Sequence, residues 1–213
     1  MIVDNFNIFA DNIEWDTIDT NNGDFVFIQI LRRNKDDNKK TDAPPSKLPV
    51  YRVRSKEMFL ARMEEIKKVC RENNARAYIH YSVRDGKKYA QIFVKRALEH
   101  FIDGSYSAMS HLPEVAAGLH CPKHVSYLVD VDIKDDAVLA KMCDAIENDC
   151  RYPNGYDGKN VICLVPTRHG THIITKPFNT KKFEDMFFQY RDDSKNPLVH
   201  TNNPTFLYYE GDE

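Results

Sequence analysis

From Ser126 onward, apolar runs of strand length alternate with amphipathic segments, and the order of these units limits the folds open to the chain. Ser126-Tyr127-Leu128-Val129-Asp130-Val131-Asp132 is an apolar run closed by an Asp-x-Asp pair. Asp135 and Asp136 then give a helix an acidic first turn, and that helix carries Leu139, Met142 and Ile146 to about Asp149. Val161 to Val165 and Thr171 to Thr175 read as two strands meeting at a tight turn with Gly170. A further helix covers Lys181 to Tyr190, and Thr205 to Tyr209 reads as a last strand. Strand, helix, strand, strand, helix, strand is the order of a split βαβ, or ferredoxin-like and RRM-like, unit.

The residues before Val125 read as an N-terminal α/β extension. Asp24 to Leu31 is a strand, and the charged stretch Arg32 to Lys40, running into Pro44, Pro45 and Pro49, is a polar loop. Ser55 is the N-cap of a helix that ends at Asn73-Asn74. Arg76 to Arg84 reads as a strand with a turn at Asp85-Gly86, followed by a helix from about Tyr89 to Ile102. Residues 103–123 read as a loop with short helical turns. With 213 residues, 42% of them hydrophobic, the chain suffices for one compact α+β domain, about 1–124 forming the extension and about 125–213 the core of interest.

No run of about eighteen apolar residues is present, and Met1 to Asn5 has none of the features of a signal peptide. The expectation is a cytoplasmic protein without membrane contact. Five cysteines without a C-x-x-C pair read as reduced thiols rather than a disulfide framework or zinc knuckle. A formal net charge of −2 gives no global field for a polyanion, so nucleic-acid binding would need a local basic surface or a metal.

The candidate chemistry gathers on two segments. Residues two apart on a strand point the same way, so Asp130 and Asp132 present both carboxylates on one face while Val129, Val131 and Ile133 pack on the other. Converging carboxylates repel unless a cation lies between them, and hard oxygen ligands suit Mg²⁺ or Mn²⁺. The bland alternative is a strand end whose carboxylates face water or cap the next helix. His172 is either a donor to a phosphate oxygen, with Gly170 allowing close backbone approach, or a half-buried strand histidine. Arg168 and His169 sit in the turn, where they reach the same phosphates or point to solvent, and Lys176 would extend the basic side. Alternation along Arg76 to Arg84 puts Tyr78, His80, Ser82 and Arg84 on one face, which suits a nucleotide or a solvated strand equally. Phe206, Tyr208 and Tyr209 read as core or interface residues.

The run ending in Asp130-Val131-Asp132, then a helix, then an apolar strand leading through Gly170-Thr171-His172 into Ile173-Ile174, resembles the archaeo-eukaryotic primase and primase-polymerase superfamily. In that family the acidic pair holds divalent metal, and a small residue, any residue and His contact nucleotide phosphate. The resemblance implies a catalytic half from about Val125 to the C-terminus and a small stand-alone member of phage type, serving DNA replication as a metal-dependent nucleotidyltransferase. It implies Mg²⁺ or Mn²⁺ on Asp130 and Asp132, His172 as the third catalytic residue, and nucleotides together with single-stranded or primed nucleic acid as partners. Arg168, His169, Gly170, His172, Lys176, His80 and Arg84 would be the nucleotide-binding set. The family's third acidic residue has no clear counterpart: Asn202 and Asn203 stand before the last strand, and Glu210 and Asp212 come after it. A module that keeps the fold with a degenerate site is therefore the competing expectation. A two-histidine phosphoesterase is a lesser one, suggested by His80-Tyr81-Ser82, but strand parity turns Thr175 away from His172.

Overall fold

Alternation along the strands sorts the side chains into layers. In this computed structural model, which describes residues 1–32, 48–118, 121–152, 158–190 and 198–211, the strands are β1 (Ile2–Asp4), β2 (Val26–Leu31), β3 (Val50–Val53), β4 (Arg76–Ile79), β5 (Tyr127–Val131), β6 (Val161–Pro166), β7 (Thr171–Thr175), β8 (Val199–His200) and β9 (Thr205–Glu210). They form two antiparallel sheets, one ordered β1-β9-β4-β2-β3 and the other β6-β7-β5-β8. The helices are α1 (Phe6–Asn12), α2 (Lys56–Ala61), α3 (Met63–Glu72), α4 (Gly86–Ile102), α5 (Leu112–Gly118), α6 (Asp136–Asp144) and α7 (Thr180–Met186). The architecture is α+β. No helix among the described residues is long and apolar enough to cross a membrane.

One core joins the sheets. Val26, Ile28 and Ile30 of β2, Ala77 and Ile79 of β4, and Leu207 and Tyr208 of β9 bury one face of the first sheet beneath Phe6, Phe9, Phe59, Ile66 and Cys70. Leu128, Val165 and Ile174 of the second sheet belong to the same cluster. Each such Ile or Phe, fully removed from water, contributes roughly 1.5–3 kcal/mol. The opposite face of the second sheet, with Val129, Val131, Ile173 and Val199, packs on Val138, Met142 and Ile146 from α6 and its C-terminal turn, and on Phe183 and Phe187 from α7 and its end. This matches the sorting expected of the Asp-x-Asp strand, including Ile133 at the edge of the cluster.

The structure departs from the sequence reading in several places. Thr205 to Tyr209 does not close the C-terminal unit: β9 pairs with β1 and β4 in the first sheet. The edge place beside β5 is filled by β8, whose two residues are too few to give a periodic signal. The helix after Ser55 is broken at Arg62 into α2 and α3, although Ser55 is the N-cap, its hydroxyl accepting from the Met58 N–H at 3.2 Å. The strand from Arg76 stops at Ile79, and Arg84 makes only isolated bridges to Phe25 and Pro122. Asp85 is not in a hairpin turn. It caps α4, accepting from the Lys88 N–H at 2.9 Å, so the helix starts three residues before Tyr89. Residues 103–123 do contain helical turns, at Tyr106–His111 and in α5. Most of the expected loop after Arg32 (33–47), part of the turn after Arg151 (153–157) and Asp212 lie outside the described residues.

The Asp135 carboxylate accepts from the Ala137 and Val138 N–H groups at 2.9 and 3.2 Å, and so caps α6. The capping role is thus filled without Asp130 or Asp132. Asp135→Ala should cost about 1 kcal/mol, read as a lower denaturation midpoint with an unchanged slope.

Candidate functional site

On β5 the side chains of Leu128 and Asp130 share one face, and Asp132 follows directly after the strand's end at Val131. Leu128 is buried in the core between the sheets, whereas Asp130 and Asp132 reach a cavity of about 230 Å³. Strand β7 runs antiparallel beside β5 with His172 directly opposite Asp130, and β8 pairs on the other side with His200 opposite Leu128. All four polar residues line the cavity, with Arg168 and His169 from the β6–β7 turn and Arg76, Tyr78 and Phe206 from the first sheet.

His172 is held at both ring nitrogens. Its Nε2 lies 3.1 Å from Asp130 Oδ1 and its Nδ1 lies 2.7 Å from Thr205 Oγ1. The first is a close contact with the carboxylate, and the second is a hydrogen bond between the ring and the Thr205 hydroxyl. The His172 side chain is 11% exposed and that of Asp130 38%, so the imidazole is fixed inside the wall and the carboxylate meets the cavity. His172 therefore engages Asp130 directly, a contact that the sequence reading, which aimed this imidazole at phosphate, did not include.

The turn that carries Arg168 and His169 is set by its ends. The Thr167 N–H donates to the Gly170 carbonyl at 2.9 Å, and the Gly170 N–H donates to Thr167 Oγ1 at 3.0 Å. Gly170 is required by close approach: a Cβ there would lie 1.9 Å from the Val131 carbonyl oxygen. Its small size thus lets the turn close over the end of β5. This is a structural use of the glycine, different from approach to a ligand. The Arg168 guanidinium lies 5.9 Å from the Tyr209 ring centre, and that of Arg76 lies 4.8 Å from the same ring, and both arginines line the carboxylate cavity.

The other expected nucleotide-binding residues lie elsewhere. Lys176 follows β7 and lines a separate cavity of about 290 Å³ with Glu14, Tyr81, Ser82, His124 and Ser126. His80 and Arg84 are buried beside a much smaller cavity that shares only Leu128, His200 and Asn203 with the carboxylate site. There an Arg84 Nη faces His80 Nδ1, and Arg84 donates to Asn202 Oδ1 at 2.8 Å. Burial and then the Arg84 charge push His80 down to about 2, so this histidine is neutral. With β4 ending at Ile79, Tyr78 faces the carboxylate cavity while His80 and Arg84 serve an internal network. His80 and His172 line different cavities, which gives no support to a two-histidine arrangement.

His200, Arg76, Thr205 and Phe206 are site residues that the sequence did not single out. No local signal marks His200, because a two-residue strand has no period, and through a strand of the other sheet Phe206 reaches the cavity and Thr205 reaches His172. Burial lowers the His200 pKa, Asp130 opposing that shift and His172 adding to it. His200 faces the cavity where a third acid was sought. Glu210 turns instead to the rim of α3, 3.6 Å from Arg71.

Among the described residues, no group of three or more His, Cys, Asp or Glu side chains is arranged to hold a metal ion. The donor set is two carboxylates at a cavity wall, Asp130 on β5 and Asp132 just past its end. That set fits one hard divalent cation drawing its remaining ligands from water or phosphate, as Mg²⁺ does when bound through one or two carboxylates. No family model, curated protein or solved structure matches this chain.

Proposed function

We propose that the cavity binds a nucleoside triphosphate with Mg²⁺ or Mn²⁺, and that the chain is a primase-polymerase-like nucleotidyltransferase acting on nucleic acid. The observation that carries this reading is the meeting of two motifs about forty residues apart in sequence: Asp130 and Asp132 on one wall, with His172, Arg168 and His169 beside them. The strand order β6-β7-β5-β8, with α6 and α7 on one face, supports a split βαβ reading in which these motifs occupy the places that the resemblance implies.

In this reading Asp130 and Asp132 hold the ion. An ion held there would supply positive charge to phosphate oxygens. Arg168 and Arg76 present forked donors to the same phosphates. Thr205 orients His172, and His172 orients Asp130. The turn held by Gly170 keeps Arg168 at the cavity.

A second reading, a nucleic-acid or protein-binding module with a degenerate site, is favoured by His200, which puts an imidazole where a third carboxylate would strengthen metal binding. Thermal melting tests the binding claim. With Mn²⁺ and a nucleoside triphosphate at about 100 times Kd, the native chain should gain roughly 2.7 kcal/mol, or several degrees. The Asp130→Ala, Asp132→Ala double variant should gain nothing. An unchanged melting temperature for the native chain at saturating ligand would overturn the proposal. Extension of a labelled primer then separates the readings: incorporation supports the transferase, and nucleotide binding without incorporation supports the degenerate module.

A further inference from the structure

Tyr78 stands on the wall of the carboxylate cavity that comes from the first sheet, paired across the ladder with Phe206. Its ring is 8% exposed and packs tilted against the Phe206 ring, with centroids 5.0 Å apart. Its hydroxyl is buried and has no hydrogen-bond partner among the described residues. Val3 and Tyr209 complete the small apolar cluster around the two rings. Packing in that cluster would be served as well by phenylalanine, and a buried hydroxyl without a partner weakens a fold. Tyr78 also lines the cavity, however, where a bound molecule can supply the partner the protein does not.

The cavity walls differ in chemistry. The second sheet and its turn contribute Asp130, Asp132, His172 and Arg168, all suited to phosphate and its counter-ion. The first sheet contributes the aromatic pair Tyr78 and Phe206, with Arg76 beside them. A ligand that satisfies both walls has a charged end and an uncharged end with an apolar surface and hydrogen-bonding groups. A nucleoside joined to phosphates meets this description. We infer that Tyr78 recognises the nucleoside part of the ligand, its hydroxyl hydrogen-bonding to a polar group of the sugar or base. The inference rests on the nucleotide reading above.

Calorimetric titration of the full chain in Mn²⁺ tests it, comparing a nucleoside triphosphate with inorganic tripolyphosphate on the native chain and on Tyr78→Phe. The variant should bind the nucleoside triphosphate on the order of tenfold more weakly and tripolyphosphate equally well. Equal weakening toward both ligands, or no weakening toward the nucleotide, would overturn the role given to Tyr78. Failure of both ligands to bind the native chain would instead overturn the nucleotide reading beneath it. Melting without ligand supplies the structural control. Tyr78→Phe should melt at or above the native temperature, and a fall of several degrees would show that the hydroxyl serves the fold and overturn the inference.

Discussion

Replacing Gly170 with alanine should lower the melting temperature by roughly 6–12 °C, taking about 3 kcal/mol for forced overpacking and about 2–4 °C per kcal/mol for a chain of this size. The cause is steric. The new Cβ would lie 1.9 Å from the Val131 carbonyl oxygen and 3.0 Å from Asp132 Cα, and these are backbone atoms that cannot rotate aside. Relief requires the β6–β7 turn to lift away from β5, which moves Arg168 and His169 relative to Asp132. Nucleotide-induced stabilisation should therefore fall along with stability. Gly118→Ala is the control, because a Cβ there meets nothing within 4 Å, and its melting temperature should stay close to native. A native-like melt for Gly170→Ala would show that the turn is not seated on β5 in this way.

The second large effect is loss of stability in mild acid. Burial, reinforced by the Arg84 guanidinium, pushes His80 down from 6.5 to about 2. The unfolded chain takes up this proton near pH 6.5, and the folded chain does not until about pH 2. Between those values the unfolded state binds more protons, so stability falls as pH falls. From pH 7 to pH 5 the loss from this one group is about 2 kcal/mol. His200, also lowered by burial, acts with the same sign. Asp24 adds a separate loss at lower pH. Burial pushes its carboxyl up, but Lys123, the Gly86 N–H and Asn22 together hold it at about 2 against an ordinary 3.8. Its contribution is complete above pH 3.8 and disappears as pH falls toward 2. Denaturant unfolding at pH 7, 6 and 5 measures the first effect. His80→Gln, which does not titrate and keeps an acceptor for Arg84, should flatten the slope over that range. A variant with the native slope would place the acid sensitivity elsewhere.

The strands β5, β6 and β7 and the helix α6 were legible because each has a strong local pattern: Leu128, Asp130 and Asp132 against Val129 and Val131, and an acidic turn before Val138 and Met142. The break at Arg62 was not legible, because apolar residues continue on both sides of it. Nor was the early end of β4, where Tyr81 and Val83 maintain a strand-like alternation after the ladder has stopped at Ile79. Polar residues on that alternation were grouped as one surface, but with the ladder broken they divide among three cavities. Lys176 shares strand parity with His172, yet it lies beyond the end of β7 and faces the seam near Glu14 and His124.

The sequence by itself determined that an apolar strand carries Asp130 to its end and that a glycine turn precedes His172, since both follow from the pattern over a few residues. Tertiary structure alone decided what stands opposite them. The antiparallel register of β5 and β7 sets His172 against Asp130, and β8 brings in His200. The return of β9 to the first sheet carries Thr205 to His172 and Phe206 to Tyr78. Those pairings join residues 33 to 128 positions apart, and local periodicity has no term for them: they depend on which strand edges remain free once each apolar face has been buried.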